Sequence, residues 1–161
     1  MKTLFIVRHA QANWAEESGQ DRLRTLDAEG IADAIKMGKL LTDDKLIPDL
    51  ILSSTAIRAE QTAKFLAEEL NLNDSQIEYK NVLYNASAET ILLAIQSLET
   101  EENTIMIVAH NPGISNFLSL VTDGSTINMG TCDIAIVELD INKWKDCLPG
   151  KGFLSRYIEN Y

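Results

Sequence analysis

Short, uninterrupted apolar runs separated by stretches of helical periodicity constrain this chain more than any other feature. Residues 3–8, 49–53 (DLILS), 104–109 (TIMIVA) and 134–139 (IAIVEL) are each too short for a helix of ordinary length and rich in Ile, Val and Leu. Between them, apolar side chains recur at three, four and seven. Residues 29–42 carry Ile31, Ile35, Met37, Leu40 and Leu41, and residues 56–70 carry Ala59, Thr62, Ala63, Leu66 and Leu70. Residues 88–99 carry Ile91, Ala94, Ile95 and Leu98, with Ser87 placed to cap them, and Ile114, Phe117, Leu118 and Val121 follow the third run. Continuous apolar strands are those buried on both faces, and alternation with helices covers both faces. The pattern predicts an α/β fold: a mainly parallel central sheet with helices on both faces, three layers in all. Residues 76–80 and 152–158 read as further short strands, the latter at an edge after the PGKG turn at 149–152, and residues 10–28 read as a loop.

A length of 161 residues fits one domain spanning 1–161, and no shift in composition, repeat or low-complexity tract divides it. The net charge of −10 argues against nucleic acid and against anionic membrane surfaces as partners, since both require a basic face. The apolar run near the N-terminus is far too short for a signal-peptide core or a membrane span, so a cytoplasmic protein is expected. Cys132 and Cys147 lie in no CxxC pattern; two reduced, semi-buried thiols are expected rather than a zinc site or a disulfide.

In parallel α/β sheets ligands bind beyond the carboxyl ends of the strands. Arg8 and His9 follow the first run; Ser53 and Ser54 close the second, with Arg58 one turn into the next helix; His110, Asn111, Pro112 and Gly113 follow the third. Both histidines of the chain therefore stand directly after a buried strand. Taken singly, each residue has an ordinary reading: a polar loop histidine, a rim arginine, a solvated helix arginine, an Asn–Pro helix start. Together they suit a phosphoryl group. Arginine forks match phosphate oxygens, and a neutral imidazole nitrogen is a competent nucleophile at phosphorus. Neighbouring arginines should lower the pKa of His9, a backbone carbonyl should fix its tautomer, and His110 and the helix start near Pro112 should donate to phosphoryl oxygens. No HExxH and no paired aspartates after strands are present, so neither a metal nor another cofactor is expected.

These residues resemble the motifs of the histidine phosphatase superfamily, the phosphoglycerate-mutase-like group. Arg8-His9-Ala10 is similar to its Arg-His-Gly signature, and residues 24–30 (RTLDAEG) to its Arg-x-Leu-(Thr)-x-x-Gly stretch. Residues 53–62 (SSTAIRAEQT) resemble the second arginine motif, and residues 108–112 (VAHNP) the second histidine motif. The short length and the ending around Trp144 and residues 148–154 look like the small SixA-type phosphohistidine phosphatases. The resemblance implies a phosphoglycerate-mutase-like fold, His9 as the phosphorylated nucleophile, and Arg8, Arg58 and His110 as the phosphate pocket. Arg24 is implied either in that pocket or as a brace for the long loop.

The chain also departs from the family pattern. Ala10 replaces the signature glycine, so the turn must accommodate a Cβ. Ala12 and Ala15 stand where mutases have Ser or Thr and Asn, and Asn111 stands where the acid phosphatases have Asp. Residues 82–86 (VLYNA) hold no carboxylate where mutases have a catalytic Glu, leaving Glu16, Glu17, Asp21 or Glu89 as acids that would have to swing in. An alkoxide leaving group needs a general acid, whereas an imidazole leaving from phosphorus does not. The expected activity is therefore a metal-independent phosphohistidine phosphatase working through phospho-His9 on a phosphorylated protein. A small phosphate ester as substrate of a phosphomonoesterase or mutase is the alternative, and a non-catalytic phosphate-binding module a third reading.

Overall fold

A computed structural model describes residues 1–14 and 20–161. Ala15, Glu16 and Glu17, considered above, lie outside the described residues. Among the described residues, six strands and four α-helices follow in the order β1 (Lys2–Arg8), α1 (Ala28–Asp43), β2 (Leu50–Ser54), α2 (Ile57–Glu69), β3 (Ile77–Lys80), α3 (Ala88–Gln96), β4 (Thr104–Ala109), α4 (Gly113–Val121), β5 (Ile134–Leu139) and β6 (Gly152–Ile158). The sheet order is β3-β2-β4-β1-β5-β6. The first four of these strands pair in parallel, while β5 and β6 add an antiparallel margin. The sheet is thus mainly parallel, as the apolar runs predict, and its β6 edge lies where the sequence places it.

Side chains alternate across the sheet, as strand geometry requires. Leu4, Ile6, Leu52, Ile105 and Ile107 face a core closed by Ile91 and Ile95 of α3 and Phe117, Leu118 and Val121 of α4. Phe5, Val7, Ile51, Met106 and Val108 face the other core, closed by Ala34, Met37 and Leu41 of α1 and Ala59, Ala63 and Leu66 of α2. Each such fully buried Leu, Ile or Phe is worth about 1.5–3 kcal/mol over its exposed state.

The buried face of α1 differs from expectation. It is made of Gly30, Ala34, Met37, Gly38 and Leu41, while Ile31, Ile35 and Leu40 are only half-buried. Close approach of neighbouring chain is the cause: a Cβ on Gly38 would lie 2.7 Å from Cβ of Glu69 in α2, and one on Gly30 2.0 Å from the carbonyl oxygen of Gln11. Helix α1 starts where Asp27 accepts a 2.8 Å hydrogen bond from Gly30 N, and α3 where Ser87 accepts from Thr90 N. Helix α3 ends at Gln96, short of the expected residue 99, where Ser97 turns its hydroxyl back onto the Leu93 carbonyl. The 10–28 segment is closed at its base: Ala12 bridges Leu26, Asn13 N donates to Thr25 O and Asp27 N to Gln11 O. It also carries a 3-10 turn at Asp21–Leu23. Cys132 and Cys147 are free and fully buried, more so than expected. Among the described residues no helix is long and apolar enough to cross a membrane.

Candidate active site

The strand register determines which residues meet. Arg8 pairs with Ala109, and Ser53 with Val108, so His9 and His110 leave the sheet at one level, just beyond Ser54 at the end of β2. His9 N donates to the carbonyl of Ala109, tying the first residue beyond β1 to the last of β4. The two imidazole centroids are 5.2 Å apart. Arg58, in the first turn of α2, brings its Nε to 3.4 Å from His9 Nε2. Arg8, His9, Arg58 and His110 are therefore assembled at one edge of the sheet, and His9, Arg58 and His110 are each less than 10% exposed, at 8%, 4% and 4%.

His9 is held in one tautomer. Its Nδ1 lies 2.7 Å from the carbonyl of Ala10, which can only accept, so the proton sits on Nδ1 and Nε2 keeps its lone pair. Arg58 Nε–H then donates to that lone pair. Burial is the largest cause that lowers the His9 pKa, to about 4, with Arg58, Arg8 and Arg24 adding to it and the Ala10 carbonyl opposing. The sequence reading assigned this shift to the arginines; the environment assigns most of it to desolvation. Ala10 itself is buried, its N–H donates to Thr62 Oγ1, and it is not among the residues of positive φ. The turn after β1 thus places no left-handed demand on residue 10, and alanine fits where the family signature has glycine.

His110 places Nε2 2.7 Å from the hydroxyl of Ser54, whose oxygen accepts from Ala56 N; with that hydroxyl donating to Nε2, the ring proton stands on Nδ1. Burial, then His9 and Arg58, lower its pKa to about 3. Its Nδ1 is buried without a partner, and so is Nε of Arg8. An unpaired buried donor costs about 1–3 kcal/mol. Two of them on neighbouring site residues are what an oxyanion would satisfy. Arg8 is otherwise anchored by donating from Nη1 to Met129 O, which also accepts from Asn111 Nδ2. Asn111 serves this contact and accepts from Ser115 Oγ, rather than capping α4, whose first residue is Gly113.

Arg24 does not contact either histidine. Its Nε donates to Asn13 O, its Nη1 pairs with Asp21 at 3.2 Å, and its guanidinium lies over Trp14. It reaches the site through Asp21 and so braces the loop, one of the two roles considered for it. The backbone carbonyl of Asp21 accepts from Arg58 Nη1 at 2.7 Å, and its Oδ2 accepts from Arg58 Nη2 at 3.1 Å and from Tyr84 OH at 2.6 Å. The Tyr84 hydrogen bond, with Arg24 and Arg58, holds the Asp21 carboxyl down to about 2 despite an opposing effect of burial. Tyr84 also meets the His110 ring edge-on, 5.7 Å between centroids. Ser54 and Tyr84 were not assigned to the site by sequence reasoning. Ser54 carried a signal, being the last residue of a buried strand, and Tyr84 lies in the very stretch searched for a carboxylate. Among the described residues no group of three or more His, Cys, Asp or Glu side chains is arranged to hold a metal ion.

The family model of the histidine phosphatase superfamily (branch 1) matches residues 4–83. The phosphohistidine phosphatase SixA of Escherichia coli is 27% identical over 139 residues, 85% of this chain and 85% of that protein. The structure of the protein histidine phosphatase SixA complexed with tungstate superposes with a TM-score of 0.82 at 26% identity, covering 98% of this chain and 97% of that one. A SixA protein of Agrobacterium tumefaciens superposes equally well, with a TM-score of 0.82 at 29% identity over 98% and 97% of the two chains. The chain belongs to the histidine phosphatase superfamily. Within it the chain has the phosphoglycerate-mutase-like α/β fold, and its structural neighbours include the SixA phosphohistidine phosphatases. The mycobacterial glucosyl-3-phosphoglycerate phosphatase, at 16% identity and a TM-score of 0.71, shares the fold.

Proposed function

We propose that residues 1–161 form one catalytic domain, a phosphohistidine phosphatase that acts on a phosphorylated protein through a phospho-His9 intermediate. The observation that carries this reading is the state of His9: a neutral, buried imidazole with its proton fixed on Nδ1 and its Nε2 lone pair facing Arg58. In the first half-reaction Nε2 attacks phosphorus and the substrate's leaving nitrogen departs with its own electron pair. Arg8, Arg58 and His110 bind the phosphoryl oxygens, Arg8 and His110 with the guanidinium and ring nitrogens that have no partner in the protein, Arg58 with the Nε that faces His9. The SixA relatives support the phosphohistidine substrate by likeness, as does the lack of a carboxylic acid at 82–86, where Tyr84 stands instead.

Acid-labile, base-stable phosphate trapped on His9 is the decisive measurement, with a phosphohistidine peptide and a sugar phosphate run side by side. Faster turnover of the sugar phosphate would favour a small-molecule phosphomonoesterase, and tight phosphate binding without trapping would favour a binding module. His9→Ala is expected to abolish turnover, tungstate to inhibit, and EDTA to leave the rate unchanged. Wild-type activity in His9→Ala would contradict the scheme.

A further inference from the structure

The second half-reaction needs something the first does not. Water attacking phospho-His9 must lose a proton, whereas His9 leaves as a neutral imidazole because Nδ1 keeps its hydrogen on the Ala10 carbonyl. We propose that the carboxylate of Asp21 is the general base that takes this proton. The inference rests on the reading of His9 as the phosphoryl acceptor. The oxygen–phosphorus bond forms, the phosphorus–Nε2 bond breaks with the pair remaining on Nε2, and the water proton passes to an Asp21 oxygen. Hydrogen phosphate dianion leaves, and Asp21 returns the proton to solvent.

The geometry places Asp21 one side chain away from each histidine. Arg58 bridges it to His9, with Nη2 on Asp21 and Nε on His9. Tyr84 bridges it to His110, with its hydroxyl on Asp21 and its ring against the imidazole. Among the acidic side chains described, Asp21 is the one whose charge acts on His110. Asp133, the acid beside Arg8, is buried and committed to Gly130 N, Asn160 N and the Tyr157 hydroxyl. Asp21, by contrast, keeps 44% of its side chain exposed, a path for the proton to water.

The same contacts fit a substrate class. Tyr84, Arg24 and Arg58 hold Asp21 ionised, so it can accept a proton, as a weak base, and has none to give to a leaving group. A phosphoramidate leaves without a proton from the enzyme, while an alkoxide does not. A site with a base for water and, among the described residues, no acid for an alcohol favours nitrogen-linked phosphoryl groups.

Single-turnover and steady-state kinetics of Asp21→Asn with a phosphohistidine peptide test this. Loading of His9 is expected to slow far less than its hydrolysis, so phospho-His9 accumulates to most of the enzyme while turnover falls roughly a hundredfold. Tyr84→Phe should show a smaller loss in the same step, and formate should restore hydrolysis to Asp21→Ala but not to Arg58→Ala. Equal slowing of both steps would reduce Asp21 to a support for Arg58, and unchanged or faster turnover would make it a displaceable counter-ion; either overturns the proposal. If wild type and variants alike form no phospho-His9 and His9→Ala remains active, the reading of the site itself has failed.

Discussion

The two imidazoles at the strand ends are buried as neutral groups, and that has consequences for both charge and stability. His9 is lowered to about 4 and His110 to about 3 from an ordinary 6.5. Since these are the only histidines in the chain, a histidine-resolved NMR titration should show no imidazole titrating near pH 6.5 in the folded protein. A transition there in either ring would contradict the buried neutral state. The sign for stability follows from proton uptake. Below pH 6.5 the unfolded chain binds two protons that the folded one does not, so stability is full above that value and falls as pH drops toward 4. Each such proton is worth about 1.4 kcal/mol per pH unit within the window. His110→Asn should therefore roughly halve the slope of unfolding free energy against pH between 6 and 4.5, read from urea melts. Asp21 acts lower: its depressed carboxyl adds stability above the ordinary value of 3.8 that is lost as pH falls toward 2. At the same scale, Arg58→Ala removes a nearly buried guanidinium whose Nε faces the nucleophile. A loss of roughly 2–4 kcal/mol in transition-state stabilisation is expected, seen as a drop in kcat/KM. A change under threefold would show that Arg58 does not bind the transferred group.

The histidines are aimed by the elements that carry them, and one glycine shows how tightly. A Cβ on Gly113, the first residue of α4, would lie 1.9 Å from the carbonyl oxygen of Ala86, in the segment leading to α3. Gly113→Ala must therefore push α4 away from that carbonyl, and His110 lies only three residues upstream. Overpacking of this kind costs typically about 1–3 kcal/mol, and a backbone atom yields less readily than a flexible side chain. Lower denaturant stability together with reduced kcat is expected; full stability with full activity would mean the segment shifts freely. This contact was not legible in the sequence, because the partner is a backbone carbonyl almost thirty residues away. The elements themselves were legible for a plain reason: TIMIVA and DLILS bury both faces, and such runs have few alternatives to a central strand. The face of α1 was not. Ile31, Ile35 and Leu40 are among its most apolar side chains and stay half-buried, while close approach buries Gly38 against α2 and Gly30 against the carbonyl of Gln11. Hydrophobicity alone does not report how near two helix backbones approach.

Across the whole molecule, the site is a product of strand order. β1 and β2 flank β4, so residues 8–9, 54–58 and 110 converge although about a hundred positions separate the first from the last. The antiparallel side adds the 129–133 turn, where Met129 O holds Arg8 and Cys132 N donates to the carbonyls of both Arg8 and His9. His9, Arg8, Arg58 and His110 could be read from motifs because each stands at a strand end or within the first turn of the element that follows it. The Arg58–Asp21–Tyr84 contacts could not, since they join a loop, a helix and a 3-10 turn that no local pattern relates. Arginine is also distributed unevenly. Of five in the chain, Arg8, Arg22, Arg24 and Arg58 stand at this one mouth, with Arg22 over the Tyr84 ring and bonded to Asn81, while Arg156 pairs with Asp44 elsewhere. In a protein of net charge −10 this cluster gives an anion a place to bind tightly. Because that place exists only when all these segments are assembled, an oxyanion bound there should stabilise the entire fold. Tungstate at a hundred times its Kd is expected to add about 2.7 kcal/mol. For a chain of this length that corresponds to a rise in Tm of roughly 5–10 °C. The rise should largely disappear in Arg58→Ala and Arg8→Ala, and a shift of wild-type size in both variants would place the anion somewhere other than between the two histidines.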